Sequence, residues 1–222
     1  MALKLQDLAV GYPGHRPLVE HIDLELGLGE AVAILGPSGH GKSTLLKTVA
    51  GLLPPLGGHM TVLGHPCPDR PPKGAVGYVP QRLGLVRHTS VLDNVQHGAL
   101  HLATKMQNLL HRAPPGATER AWDALRAVGL EDKADEPILR LSGGQQRRVA
   151  VARTLVQRPR LLLADEFLGE LDPKTAETVA AAVRSLQERE GMAVLMVEHQ
   201  LEQAQRVADR VYRLDAGRLE AV

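Results

Sequence analysis

The chain has almost none of the features that would cross-link it or hold it in a membrane. Cys67 is its only cysteine, which excludes an internal disulfide and suits a reducing compartment. No apolar run approaches the roughly 18 residues that a membrane-spanning helix needs. The start, Met1-Ala-Leu-Lys-Leu-Gln-Asp7, lacks the basic-then-apolar order of a leader, so the expectation is a protein soluble by itself. Neither sign of charge prevails, with 26 basic against 25 acidic residues and a formal charge of +1. The balance therefore gives no argument for a nucleic-acid groove or a polybasic anchor, and no nucleic-acid partner is expected. Aromatic residues are only 2% of the chain, so a core has to be built from Leu, Val and Ala. Internal repeats and low-complexity segments are lacking too, and 222 residues suffice for one compact domain with a subdomain but not for two nucleotide-binding units.

What is present is the patterning of an α/β protein. Residues 2–10 and 22–28 alternate apolar and polar side chains, as half-buried strands do, around the turn Gly11-Tyr-Pro-Gly14. Ala31-Val-Ala-Ile-Leu35 is a continuous apolar run that passes through a glycine-rich loop into a helix over 43–50, the order found in parallel sheets. Short strands are expected at 59–63 and 75–79. From 91 to 140 the chain reads as an inserted, mainly helical subdomain, broken at Ala113-Pro-Pro-Gly116 and including a helix over 119–128. Beyond it the pattern predicts helix 143–157, strand 161–164, helix 174–189, strand 193–197, helix 201–208 and a closing strand near 211–214.

Gly36-Pro-Ser-Gly-His-Gly-Lys-Ser43 has the composition of a phosphate cradle. Gly36, Gly39 and Gly41 free the backbone to turn its N–H groups onto phosphate oxygens, and the following helix presents its positive N-terminus to the same place. Lys42 is placed to neutralise β and γ phosphates, and the Ser43 hydroxyl to ligate Mg²⁺. The nucleotide-binding stretch is thus Gly36, Pro37, Ser38, Gly39, His40, Gly41, Lys42, Ser43 and Thr44, with His40 a residue of the loop rather than a ligand.

Four apolar residues, Leu161 to Ala164, deliver Asp165 and Glu166 to the C-terminal end of a strand, where open parallel sheets bind ligands. Asp165 is the candidate to help hold Mg²⁺ through water, and Glu166 to polarise the water that attacks a γ phosphate. His199 follows the apolar run 193–197 at the same sheet edge and is a third candidate. Ser142-Gly-Gly-Gln145 opens a further helix with a hydroxyl and free N–H groups, a second anion site. One phosphate loop needs one cradle. The economical explanation is that Ser142, Gly143, Gly144 and Gln145 cap the γ phosphate of another copy, with ATP sandwiched at a two-fold interface. The arginines of that helix, Arg147, Arg148 and Arg153, read as an ordinary solvated face beside the apolar stripe of Val149, Ala152 and Val156.

These residues in this order resemble the ATP-binding cassette (ABC) family, and the likeness covers nearly the whole chain: Tyr12, the loop 36–43, Gln81, the signature 141–145, Asp165-Glu166, Leu171-Asp172 and His199. The resemblance implies a P-loop NTPase core of the RecA-like type with an N-terminal antiparallel β subdomain and an inserted α-helical subdomain. It divides the chain into 1–90 (β subdomain and first part of the core), 91–140 (helical subdomain) and 141–222 (signature helix and second part of the core). It further implies that Tyr12 stacks on adenine, that Gln81 senses Mg²⁺ and meets a membrane partner, that Asp172 communicates across the dimer, and that His199 contacts the γ phosphate.

The implied activity is ATP hydrolysis coupled to transport, with ATP and Mg²⁺ as cofactors. The implied assembly is a homodimer or paired cassette on separate permease subunits at the cytoplasmic side of the inner membrane, with an extracytoplasmic solute-binding protein as a further partner. Ser90-Val-Leu-Asp-Asn-Val95, Gly98-Ala-Leu100 and Leu171-Asp-Pro-Lys-Thr-Ala-Glu177 are similar to phosphonate-type importer ATPases. Phe167-Leu168 stand where the family usually has Pro and Thr, and Gly169-Glu170 where Ser-Ala is common. Gly169 is similar to lipoprotein-release and exporter types, so an exporter subunit and a soluble non-transport cassette stay open as alternatives.

Overall fold

A computed structural model describes residues 1–102, 114–169, 171–215 and 218–222. The expectations for 103–113 and for Glu170 lie outside the described residues. Two sheets organise the rest. The smaller is antiparallel, in the order β2-β1-β4-β5, from β1 (Leu3–Val10), β2 (Val19–Leu26), β4 (Gly57–Val62) and β5 (His65–Pro66). Leu3 pairs with Leu26 and Val10 with Val19 across the first hairpin. The second strand therefore begins three residues earlier than its alternation suggests and ends before Leu28, which is exposed.

The larger sheet runs β10-β9-β3-β8-β7-β6. Its strands are β3 (Ala31–Leu35), β6 (Val76–Val79), β7 (Leu161–Asp165), β8 (Ala193–Glu198), β9 (Arg210–Asp215) and β10 (Arg218–Ala221). All its pairings are parallel except the edge hairpin β9–β10. Every residue of β3, β7 and β8 is buried, because each face of the sheet packs on a different core. Val32 and Ile34 face Leu45, Leu46 and Val49 of α1 (Lys42–Val49) together with the antiparallel sheet. Ala31, Ala33 and Leu35 face the opposite, helix-covered core. Burial on both faces is why these strands read as unbroken apolar runs rather than alternations.

Among its described residues the helical stretch has α2 (Val91–Gln96), a 3₁₀ turn over His97–Leu102, and α3 (Ala117–Ala127), entered through Gly116 in the left-handed conformation. Short 3₁₀ turns then lead to α4 (Gly143–Val156). Ser90 caps α2 by accepting from Asp93 N–H. The fully buried Asn94 fastens the preceding loop: its amide donates to Val86 O, Thr89 Oγ1 and Ser90 O, while its carbonyl accepts from Val86 N–H.

Helix α5 spans Pro173–Glu190 and ends at Gly191 with φ 66°. The helix expected over 201–208 is shorter, α6 (Leu201–Ala204). Asp209 accounts for the early end, because its N–H donates to Ala31 O and its carboxylate accepts from Ala31 N–H, both at 2.8 Å, which commits the chain to β9. Among the described residues no helix is long and apolar enough to cross a membrane.

Candidate functional site

The C-terminal ends of β3, β7 and β8 lie side by side and deliver the loop 36–43, Asp165-Glu166 and His199 to one edge. Glycine is required in the loop for contact as well as conformation. A Cβ on Gly41, whose φ is +84°, would stand 2.5 Å from Val19 Cγ2, and one on Gly36 would stand 2.7 Å from Leu214 O. The Lys42 ammonium donates to Gly36 O at 2.6 Å and Pro37 O at 2.7 Å. Burial lowers its pKa, and the charges of Glu166 and Asp165 oppose that shift. His40 bonds Ser38 O through Nδ1 and stays exposed, while Thr44 is buried and its carbonyl accepts from Thr48 Oγ1.

Ser43 Oγ donates to Asp165 Oδ1 at 3.1 Å, which joins the start of α1 to the end of β7. Asp165 is 1% exposed. Burial raises its pKa, the Ser43 hydrogen bond pulls it back, Glu166 raises it, and Lys47 and Lys42 lower it. Glu166 carries positive φ, 56°, a conformation non-glycine residues adopt at a cost and one that concentrates at functional sites. Its carboxylate is held at both oxygens. Gln81 Nε2 donates to Oε2 at 3.1 Å, and His199 Nε2 lies 2.6 Å from Oε1. The structure thus brings Lys42, Ser43, Gln81, Asp165, Glu166 and His199 into one constellation, drawn from four separate stretches of chain.

The other candidates lie on other elements of the fold. Ser142 is the N-cap of α4 and forms a capping box with Gln145: Gln145 N–H donates to Ser142 Oγ, and Ser142 N–H to Gln145 Oε1. Ser142 and Gly143 are exposed, with Gly144 half-buried beside them. Gly143 shares with Gln81, Gln146, Arg147 and Glu166 the wall of an open cavity of about 810 Å³. Tyr12 is 46% exposed on the first hairpin, with its carbonyl accepting from His15 N–H. Asp172 caps α5, accepting from Thr175, and those hydrogen bonds lower its pKa.

The arginines correct the expectation of a solvated face. Arg147 is buried and donates to Glu166 O, Arg148 donates to Val128 O and Gly129 O, and Arg153 reaches Leu83 O and Gly84 O. Helix α4 is buried nearly all round rather than along one stripe. Glu198, which sequence reasoning passed over, is 1% exposed and accepts from Leu168 N–H at 3.2 Å. Burial pushes its carboxyl up to about 7, with the Leu168 bond and Arg147 opposing and Glu166 reinforcing. The signal was available, since an acid terminating an otherwise wholly apolar run is a buried acid if the strand extends to it. Phe167 and Leu168, which depart from the Pro-Thr pattern, are both fully buried in the helix-covered core.

A family model described as ABC transporter matches residues 19–169. The chain is 36% identical over 225 residues to a phosphonates import ATP-binding protein of Halalkalibacterium halodurans, covering 99% of this chain and 92% of that one. It is 38% identical to the protein of the same description from Thiobacillus denitrificans, over 98% and 85% of the two chains. Among solved structures it superposes with a TM-score of 0.82 and 29% identity on a dimeric post-hydrolysis ATP-binding cassette bound to ADP and Pi, over 98% of this chain and 96% of that one. A further dimeric structure of that bacterial ABC transporter cassette gives 0.82 and 30%, with the same coverage.

Proposed function

The chain belongs to the ABC transporter family, and from that premise we propose that it is the energy-coupling subunit of an importer for phosphonates or related oxyanions. It is an ATPase that works as a pair of cassettes: ATP closes the pair, hydrolysis opens it, and the motion drives a separate permease at the cytoplasmic face of the inner membrane. A solute-binding protein on the far side delivers the cargo. The solved dimeric cassettes support the pairing, and the names of the relatives support the cargo. Within this reading 1–90 carries the β subdomain and first part of the core, 91–140 the helical subdomain, and 141–222 the signature helix and the rest of the core.

One observation carries the reading. A carboxylate gripped at both oxygens, Glu166 between Gln81 and His199, stands beside a lysine held by a glycine-rich loop. In hydrolysis Glu166 takes the proton of the attacking water as the new P–O bond forms and the bond to ADP breaks. Lys42 and the loop N–H groups neutralise the β and γ oxygens, and His199 orients on the γ phosphate. Tyr12, exposed on its hairpin, stacks on adenine. From across the interface, the exposed start of α4 in the partner subunit offers its Ser142 hydroxyl and backbone N–H groups to the same γ phosphate, while Asp172 lies along the join.

The oxygens of Ser43 and Asp165, already within hydrogen-bond distance of each other, are the hard donors that Mg²⁺ takes, and Gln81 completes the set. When bound, the cation neutralises charge on the β and γ phosphates.

Two variants test the proposal together. Glu166→Gln is expected to keep ATP binding, lower turnover by about 10²–10⁴, and run as an ATP-dependent dimer on gel filtration. Ser142→Arg is expected to block that dimer while the monomer still binds ATP. Undiminished hydrolysis in the first variant, or loss of ATP binding in the second, would refute the assignment.

A further inference from the structure

The conformation of Glu166 needs support, and the support comes from two buried charged residues. A non-glycine residue at positive φ persists only where its surroundings over-determine it. Here the turn 166–169 is fixed at four points. Glu166 N–H donates to Val197 O at 3.0 Å, and Gly169 N–H to Glu166 O at 3.2 Å. Leu168 N–H donates to Glu198 Oε1, and Arg147 donates to the carbonyl of Glu166 itself. The first two are backbone bonds that any sequence could make. The last two depend on side-chain identity.

Both side chains are placed at a price in solvation. Arg147 is 6% exposed and Glu198 1% exposed, and a buried charge is retained only where partners compensate it. Arg147 is near enough for its charge to offset part of the effect of burial on Glu198, and each side chain also holds one end of the turn. Arg147 sits in the first turns of α4, five residues after the N-cap Ser142, and Glu198 immediately precedes His199. The helix start that meets one nucleotide and the histidine turn that meets the other therefore converge on the same short turn, Arg147 at Glu166 O and Glu198 at Leu168 N–H.

We propose that Arg147 and Glu198 are positioning residues that fasten the turn bearing Glu166 to the start of α4, so that the helix gripping the nucleotide of the partner cassette sets the aim of the general base in its own. The proposal rests on the function assigned above. It adds a connection between the two ATP sites that runs through the interior of each chain.

The test uses the full chain with Arg147→Ala, Arg147→Lys, Glu198→Ala and Glu198→Gln. The Gln side chain keeps a carbonyl for Leu168 N–H and removes only the charge, so it stays informative if the alanine variants do not fold. Wild type and Glu166→Gln are measured first; if these two hydrolyse ATP equally, it is the functional reading that fails and not the placement. For the positioning variants, titration with a fluorescent ATP analogue should give affinities within about threefold of wild type, and ATP-dependent dimerisation in a Glu166→Gln background should persist. Phosphate release should show kcat lowered about 10–10²-fold in the alanine variants with KM nearly unchanged, the range expected for loss of one charged hydrogen bond. Arg147→Lys and Glu198→Gln should each recover part of the loss. Values of kcat within twofold of wild type in all four would overturn the proposal. So would a loss of turnover that merely follows loss of nucleotide binding and thermal stability.

Discussion

His199 Nε2 and Glu166 Oε1 lie 2.6 Å apart, and the remaining oxygen of that carboxylate accepts from Gln81. The plane of the carboxylate is fixed by residues from the ends of two different strands, β8 and β6. A glutamate with only one such partner would turn about its own side-chain bonds, and a base that turns is correctly aimed for only part of the time.

His199→Ala removes the shorter of the two contacts. ATP affinity should change little, because the loop 36–43 and Lys42 are untouched. Turnover should fall roughly 10–10²-fold, the value of one hydrogen bond to a charged group. Steady-state phosphate release beside equilibrium nucleotide titration separates the two effects. Equal losses in both would show that His199 acts on binding instead.

Gly41→Ala places a methyl group 2.5 Å from Val19 Cγ2 at a φ of +84°. The left-handed conformation alone costs a non-glycine residue roughly 1–2 kcal/mol, and the contact adds to it. Nucleotide affinity should fall about tenfold or more, while far-ultraviolet circular dichroism keeps its wild-type shape.

Arg153→Ala tests how the segment after Gln81 is held. Its guanidinium donates to Gly84 O at 2.8 Å and Leu83 O at 2.7 Å. The variant should lose about 1–3 kcal/mol of stability, concentrated in the loop. Hydrogen exchange should speed up over residues 82–87 and stay slow in β3, β7 and β8. Unchanged exchange in the loop would mean that Asn94 holds it without help.

Stability should depend on pH through Glu198. Burial raises its carboxyl from 4.5 to about 7, so across that interval the folded chain keeps a proton that the unfolded chain has released. The folded state binds more protons there, and the corresponding stability, fully present below pH 4.5, is lost as pH rises through 7. Glu198→Gln cancels this single contribution, whereas Asp165, Asp172 and Glu177 act alike in both proteins. Urea unfolding across that range should show the variant gaining on wild type by roughly 2–3 kcal/mol as pH rises. Parallel curves would exclude it.

The gathering of these residues at one sheet edge was legible in the sequence because each part carries a local signature. Glycines preceding Lys42-Ser43 announce a turn, and carboxylates ending an apolar run announce a strand delivering them to a sheet edge. Arg147 and Glu198 escaped for the opposite reason. Arg147 belongs to an arginine-rich helix whose composition suggests water, and only the tertiary fold turns it toward the glutamate carbonyl. β10 was missed because Arg218, Glu220 and Ala221 are exposed and Leu219 is half-buried, an edge strand held by backbone pairing to β9 and lacking a buried face to pattern it. The residues that cap α4 and α5, Ser142 and Asp172, have local roles that their chemistry makes plain. Nothing local says what lies across from them.

Strand order has a consequence for how the protein is made. β3, which carries the lysine loop, and β7, which carries Asp165 and leads to Glu166, are not neighbours; β8 is wedged between them. On the ribosome the loop 36–43 and the pair Asp165-Glu166 are both made before β8, so the sheet that aligns them cannot close until residues 193–198 have left the exit tunnel. Long-range parallel pairing of this kind is slow and leaves unpaired edges exposed meanwhile. Before that point β3 and β7 each have an unpaired edge where β8 will lie, and the growing chain needs shelter from aggregation until it arrives.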